Sequence, residues 1–93
     1  MDPSGRYDQA EVMTENLETL LSAKVIKRSV SISGHLTSIS LEEPFWTELQ
    51  TLAKAENISL AKLIARIDKS RSVNLSSALR LYVFHSLKKL DTE

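Results

Sequence analysis

Hydrophobic and polar positions along the chain follow a helical period, then a period of two, then a helical period again. Residues 8–23 place their apolar side chains on one helical stripe with glutamates beside it, which predicts an amphipathic helix. Residues 24–42 alternate apolar and polar side chains on both sides of Gly34, as half-buried strands do. We expect two short strands, or one long strand bent at Gly34. The alternating apolar residues are Val30, Ile32, Ile39 and Leu41.

Three helices are predicted after the strands. Pro44 suits the first turn of the first helix, because its missing N–H costs nothing there, and Asn57 ends that helix. Ser59 and Asn74 are typical N-cap residues for the second and third helices. The predicted buried faces are Phe45, Leu49, Leu52 and Ala53, with Trp46 at their border; Leu60, Leu63, Ile64 and Ile67; and Leu75, Ala78, Leu79, Tyr82, Val83, Leu87 and Leu90.

The length and composition narrow the class of protein. A chain of 93 residues is one domain, near the low end of what a single core stabilises, so we expect it to oligomerise. It contains no cysteine, which excludes disulfides and thiolate metal sites and fits a reducing compartment. No stretch has the pattern of a signal peptide or of a membrane span. We therefore expect a cytoplasmic protein.

The net charge of zero conceals an asymmetry between the two parts of the chain. Residues 1–23 hold five acidic residues and one arginine, a balance of −4, while residues 24–93 hold eleven basic and seven acidic residues, a balance of +4. The mildly basic part permits a polyanionic partner without requiring one.

Three separated blocks carry a resemblance to a known family. The blocks "KRSVSISGHLTSISLEEPFW", "ISLAKLIARID" and "NLSSALRLYV" resemble the ribbon-helix-helix superfamily of the Arc and methionine repressors, and more closely its small alphaproteobacterial ribbon-helix-helix domain proteins. The resemblance covers about residues 26–84. It implies a mainly α fold with a short β-ribbon: a ribbon-helix-helix homodimer with an added C-terminal helix.

The resemblance also implies an organisation of the chain and a function. We divide the chain into an acidic arm with the amphipathic helix (1–23), a ribbon-helix-helix domain with its third helix (24–90) and a short tail (91–93). In the superfamily, two chains pair their strands into an antiparallel ribbon that enters a major groove, while the second helix presents its N-terminus to phosphate. The expected protein is a small, dimeric bacterial transcriptional regulator such as a repressor, without enzymatic activity, metal or cofactor.

Candidate residues can be named for two surfaces, one that contacts DNA and one between the two chains of the dimer. The expected contacts with double-stranded DNA are Leu36, Ser38, Ser40, Ser59 and Leu60 from the resemblance, and the basic residues Lys27, Arg28, Lys62 and Arg66 from their charge. The expected dimer interface is Val30, Ile32, Ile39, Leu41, Phe45, Trp46, Leu49, Leu63, Ile64 and Ile67. The expected ribbon face consists of Leu36, Ser38 and Ser40, none of which is a common bidentate base reader, so direct base recognition there rests on serine.

Several of these residues have a second interpretation. The row formed by Lys62, Arg66 and Lys69 either follows a phosphate backbone or is a solvated helix face. The cluster of Lys24, Lys27 and Arg28 either contacts nucleic acid or protects a sheet edge from pairing wrongly.

The aromatic and histidine residues favour structural roles. Phe45 and Trp46 fit core packing better than base stacking. His35 fits a turn and His85 the edge of a helix face, since neither has a second ligand at metal-binding spacing. No nucleophile, base and orienting group occur together in the sequence, which argues against an enzyme.

The acidic helix at residues 8–23 lies outside the resemblance and leaves three alternatives. It packs on the core as an extra helix, it folds over the basic surface and competes with DNA, or it docks on another protein. Two further functions therefore stay open beside DNA binding: an antitoxin-like or adaptor protein, and a module that serves dimerisation alone.

Overall fold

Two strands precede three helices in the computed structural model, which describes residues 17–91. In chain order the elements are β1 (Val25–Ile32), β2 (His35–Glu42), α1 (Glu43–Ala55), α2 (Leu60–Ser70) and α3 (Leu75–Asp91). Residues 17–21 are helical and belong to the helix predicted for residues 8–23. The remainder of that prediction, the N-terminal arm and the end of the tail lie outside the described residues.

The two strands form a hairpin within one chain. They are antiparallel, and the pairing closes with Ile32 opposite His35. The connection is the two-residue turn of Ser33 and Gly34, whose φ angles are 51° and 84°. Positive φ at both positions is what a type I′ turn requires, and this turn matches the twist of paired strands. The prediction of two strands is confirmed, but β1 supplies the partner strand that we expected from a second copy, and His35 begins a strand instead of forming the turn.

The hairpin has an inner face on the core and an outer face toward solvent. The alternation of side chains places Ile39 and Leu41 on the inner face, where they are almost fully buried, so the predicted strand register is confirmed. The inner face is formed by the cross-strand pairs Ile26–Leu41, Arg28–Ile39, Val30–Thr37 and Ile32–His35. The outer face is formed by Val25–Glu42, Lys27–Ser40, Ser29–Ser38 and Ser31–Leu36.

Helix α1 places its tryptophan in the centre of the core. Trp46 is buried together with Leu49 and Ala53, whereas Phe45 is only half-buried, so the expected position of Trp46 at the border is wrong. The indole Nε1–H donates a hydrogen bond of 2.9 Å to the carbonyl of Ile26. This bond satisfies the polar atom of a buried indole, so Trp46 packs under the inner face of the hairpin.

The predicted helix boundaries are confirmed by their hydrogen bonds. After α1, Asn57 adopts a φ of 61°, and the Ile58 N–H donates to the carbonyl of Ala53, as in a Schellman motif. At α2 the Ser59 hydroxyl accepts from the Lys62 N–H at 3.1 Å, and at α3 the Asn74 Oδ1 accepts from the Ser77 N–H at 2.9 Å. Both side chains therefore act as the predicted N-caps.

The core is formed by the inner face of the hairpin and one face of each helix. Leu87 does not belong to it: its side chain is exposed, because it lies one turn beyond Val83, the last buried residue of that stripe. The side chain of Leu90 lies outside the described part. Within residues 17–91, no helix is long and apolar enough to cross a membrane. The buried side chains are Val30, Ile32, Ile39, Leu41, Trp46, Leu49, Ala53, Leu63, Ile64, Ile67, Ala78, Leu79 and Val83.

Candidate nucleic-acid interface

The outer face of the hairpin is a ladder of small polar side chains. Ser29 lies opposite Ser38, and Lys27 lies opposite Ser40. All four side chains are exposed, as is Leu36, which is 79% accessible next to the turn. Because the helices pack on the inner face, the outer face remains open along most of its length. A two-stranded ribbon of this kind is narrow enough to enter a major groove.

One end of the outer face is tied to α3. The Ser76 hydroxyl donates to the carbonyl of Ser40 at 3.2 Å, and Arg80 Nε donates to Glu42 Oε1 at 3.0 Å. The hydrogen bond from Arg80 lowers the pKa of the Glu42 carboxyl below its usual value. The guanidinium of Arg80 also lies 5.8 Å from the ring centroid of Phe45. These contacts hold the base of the hairpin against the helices.

Lys27 and Arg28, which were predicted together as DNA contacts, lie on opposite faces. Lys27 is on the outer face with the serines. Arg28 is on the inner face, and its guanidinium lies 5.4 Å from the ring centroid of Trp46. This is cation–π geometry, in which the charge is held over the aromatic face. The structure therefore brings Lys27 together with Ser38 and Ser40, and gives Arg28 a contact within the protein.

The basic row of α2 runs beside the hairpin turn. Lys62 and Lys69 are exposed and line a shallow cleft that also includes Ser33 of the turn and Ile58. The hairpin tip and the basic row thus belong to one side of the molecule. This proximity joins two features that are far apart in the sequence.

Arg66 of the same row is held by a carboxylate. Its two terminal nitrogens donate to the two oxygens of Glu56 at 2.8 and 2.9 Å, a bidentate pair. Tyr82 Oη donates to Glu56 Oε2 at 3.3 Å and accepts from Arg66 at 3.3 Å. Because Arg66 donates the bidentate pair of hydrogen bonds to the carboxylate, the pKa of Glu56 is lowered and the pKa of Arg66 is raised. Arg66 therefore links α1, α2 and α3, and its guanidinium is less available to a phosphate than Lys62 or Lys69.

The start of α2 presents backbone donors more than side chains. The Ser59 hydroxyl is used as the N-cap, and Leu60 is half-buried against the core. The first-turn amides of a helix have no partner within the helix, and such groups bind phosphate readily. Any phosphate contact at Ser59 and Leu60 is therefore expected to come from the main chain.

The residues predicted for a dimer interface form the core of the single chain. Nine of the ten are buried within it and Phe45 is half-buried, so a second copy is not needed to cover them. Their contact with a second copy stays a prediction.

Two outer-face residues, Ser29 and Ser31, were not among the predicted contacts. The sequence does contain a pattern that places them on the outer face, since both alternate with the apolar residues Val30 and Ile32. It was missed because the resemblance places a second chain beside β2, whereas the hairpin puts β1 there. His35 and His85 are exposed, and among residues 17–91 no group of three histidine or acidic side chains could hold a metal ion.

An open two-stranded ribbon backed by consecutive helices defines a ribbon-helix-helix architecture, here with one additional helix. Comparison with protein families gives the same answer at the level of sequence: the model of the ribbon-helix-helix domain matches residues 25–87. The chain therefore belongs to this family. Its members commonly dimerise and bind DNA, and they are generally regulatory rather than enzymatic.

One solved structure is similar over most of the chain. It is an uncharacterized protein from Bordetella pertussis Tohama I, with 26% sequence identity and a TM-score of 0.63. The match covers 76% of this chain and 62% of that one, so this chain spans less than two thirds of the length of its structural neighbour. Comparison with curated proteins gave no match.

Proposed function

We propose that this protein is a dimeric DNA-binding transcriptional regulator that inserts the outer face of its β-hairpin into a major groove. The observation that carries the proposal is the open ladder of Lys27, Ser29, Ser38 and Ser40, which the fold leaves uncovered. Serine hydroxyls both donate and accept hydrogen bonds, so this face suits base edges at close range. The apolar Leu36 at the tip suits the methyl group of thymine.

The second helix supports the same orientation. Lys62 and Lys69 lie on the side of the hairpin tip and supply positive charge for the flanking phosphates. The amides at the start of α2 add uncharged phosphate contacts. Because phosphate contacts set position while base contacts set sequence, the serine ladder is expected to determine specificity and the lysines affinity.

Fluorescence anisotropy with the full chain tests this proposal. The protein is titrated into a pool of its own upstream DNA and into a scrambled pool, each at two salt concentrations. We expect tighter binding to the native pool and a steep fall of affinity with salt. Equal weak binding to both pools, or none, would remove the proposal.

Matched variants locate the contact. Ser38→Glu adds a negative charge to the outer face, and Gln50→Glu adds the same charge to an exposed position of α1. We expect Ser38→Glu to lose about tenfold or more in affinity, equivalent to the ~1–3 kcal/mol of a base contact, and Gln50→Glu to change little. Equal effects of the two would mean that only net charge matters.

One observation favours the alternative of an antitoxin-like or adaptor protein. Leu17, Leu20 and Leu21 are all exposed on the helical turn before β1, as a surface that binds another protein would be. If neither DNA pool binds, calorimetry against the product of a neighbouring gene tests this alternative. Binding that Leu20→Asp abolishes would support it.

A further inference from the structure

A groove between α2 and α3 has no role in DNA binding as proposed above. Its volume is about 530 Å³, and its floor is formed by the buried side chains of Ile67 and Ala78. Leu81 and Val73 stand at its edges and are exposed, Leu81 by 57%. Phe84, 60% exposed, follows Leu81 by three residues and so extends the same apolar surface along α3.

The part of the chain that forms the groove is basic, although the two arginines that line it are themselves held in ion pairs. Arg66, Arg71 and His85 line it, with Arg71 paired to Asp68 at 2.6 Å and Arg66 to Glu56. The groove lies in residues 57–91, which contain seven Lys and Arg and two Asp, a balance of +5. An occupant with an apolar stripe flanked by acidic side chains would match both properties.

The chain itself contains such a segment. Residues 8–23 include four acidic residues and no basic one, and their apolar residues fall on one helical stripe. In the described part of this segment, Leu17, Leu20 and Leu21 are exposed. Within their own chain, Thr19 and Ser22 line a cleft at the start of α1 with Pro44 and Thr47, and that cleft is separate from the α2–α3 groove. Within residues 17–91, each of the three leucines therefore stays at least half exposed.

We propose that the α2–α3 groove of each copy binds the acidic N-terminal segment of a second copy. Each chain then contributes one segment and one groove, so the dimer has two-fold symmetry. Both the apolar stripe of the segment and the groove are buried in it. It covers the exposed leucines and Leu81 together, which suits a domain at the low end of independent stability. This interface does not depend on the proposed DNA contacts, which lie on the hairpin.

Cross-linking between unlike chains tests the proposal, because the natural chain has no cysteine. A full-length chain carrying Leu20→Cys is mixed with an isotopically heavy chain carrying Leu81→Cys and treated with a short bis-maleimide. Mass spectrometry counts the product that contains one light and one heavy chain. Leu36→Cys replaces Leu81→Cys in the control, since Leu36 is also an exposed leucine but lies on the hairpin.

We expect severalfold more unlike-chain product with Leu81→Cys than with Leu36→Cys. Adding Glu18→Lys to the Leu20→Cys chain should lower that yield, whereas adding Gln50→Lys, which also makes the chain more positive, should not. Unchanged circular dichroism of each variant shows that the fold is retained.

Three results would overturn the proposal. The first is an equal yield with Leu36→Cys. The second is cross-linking only between two Leu20→Cys chains, which would mean that the segments pair with each other. The third is a cross-link inside one chain in the Leu20→Cys, Leu81→Cys double variant, which would make the segment of the same chain the occupant.

Discussion

The two faces of the hairpin differ in nearly every physical property although they alternate residue by residue. The inner face carries the large apolar side chains that contact the helices, whereas the outer face carries four serines, one lysine and two apolar residues in solvent. Neighbouring residues thus serve different purposes, because successive side chains of a strand point to opposite sides. The inner face determines whether the domain folds, and the outer face can vary without disturbing the core.

The sharpest test of this contrast is a pair of adjacent charge insertions. Ile39→Lys places an ammonium group at a position that is 2% exposed, and we expect it to destabilise the domain by more than about 4 kcal/mol or to prevent folding. Ser38→Lys is expected to stay within about 0.5 kcal/mol of the natural chain. Circular dichroism with urea measures both. A folded Ile39→Lys protein would mean that the strand register is shifted by one residue.

A smaller effect is expected where the inner face meets α1. Trp46→Phe leaves the carbonyl of Ile26 without its indole donor, and we expect a loss of about 1–3 kcal/mol. Leu36→Val changes an exposed apolar residue on the outer face of the hairpin and is the control, with an expected change below about 0.5 kcal/mol. Thermal unfolding followed by circular dichroism compares the two. Equal losses would contradict the central position of Trp46.

The adjacent basic residues Lys27 and Arg28 of β1 provide a further comparison between the outer and inner faces of the hairpin. Arg28→Ala removes the cation–π contact with Trp46, which is worth about 0.5–1 kcal/mol at an exposed site. Lys27→Ala is expected to leave stability unchanged and to lower the salt dependence of DNA binding instead. Because Trp46 is the only tryptophan, its fluorescence follows urea unfolding directly. A stability loss in Lys27→Ala as large as in Arg28→Ala would remove the distinction between the faces.

The smallest effect concerns the anchored end of the outer face. The pKa of Glu42 is lowered by Arg80, so its carboxylate stabilises the folded state above the unfolded pKa of about 4.3, and this contribution is lost as pH falls through the folded pKa. Glu42→Gln should therefore reduce the loss of stability on acidification below about pH 4. Glu43→Gln removes the same charge from an exposed neighbour and is the control. Urea unfolding at neutral and acid pH measures the difference, and identical pH profiles would exclude this anchor.

Local patterns predicted the elements well because their causes are local. Period-two alternation identified the buried pair of Ile39 and Leu41, and the caps at Ser59 and Asn74 are hydrogen bonds to amides three residues away. Family resemblance then supplied the class of fold, which the family comparison confirms. The same patterns placed Phe45 on the buried stripe and Trp46 at its border, the reverse of their burial, because residues three and four positions before Leu49 both fit a stripe through it.

The pattern of residues was sufficient to predict the strands, the helix boundaries and the polar character of the serine face, since these depend on neighbours along the chain. The folded structure was needed to establish that β1 pairs with β2 of its own chain, that Arg28 turns toward Trp46 while Lys27 faces outward, and that Arg66 is held by Glu56 and Tyr82. The physical reason is the same for each. Contacts between residues distant in sequence depend on which surfaces the packed core brings together, and no local period encodes that choice.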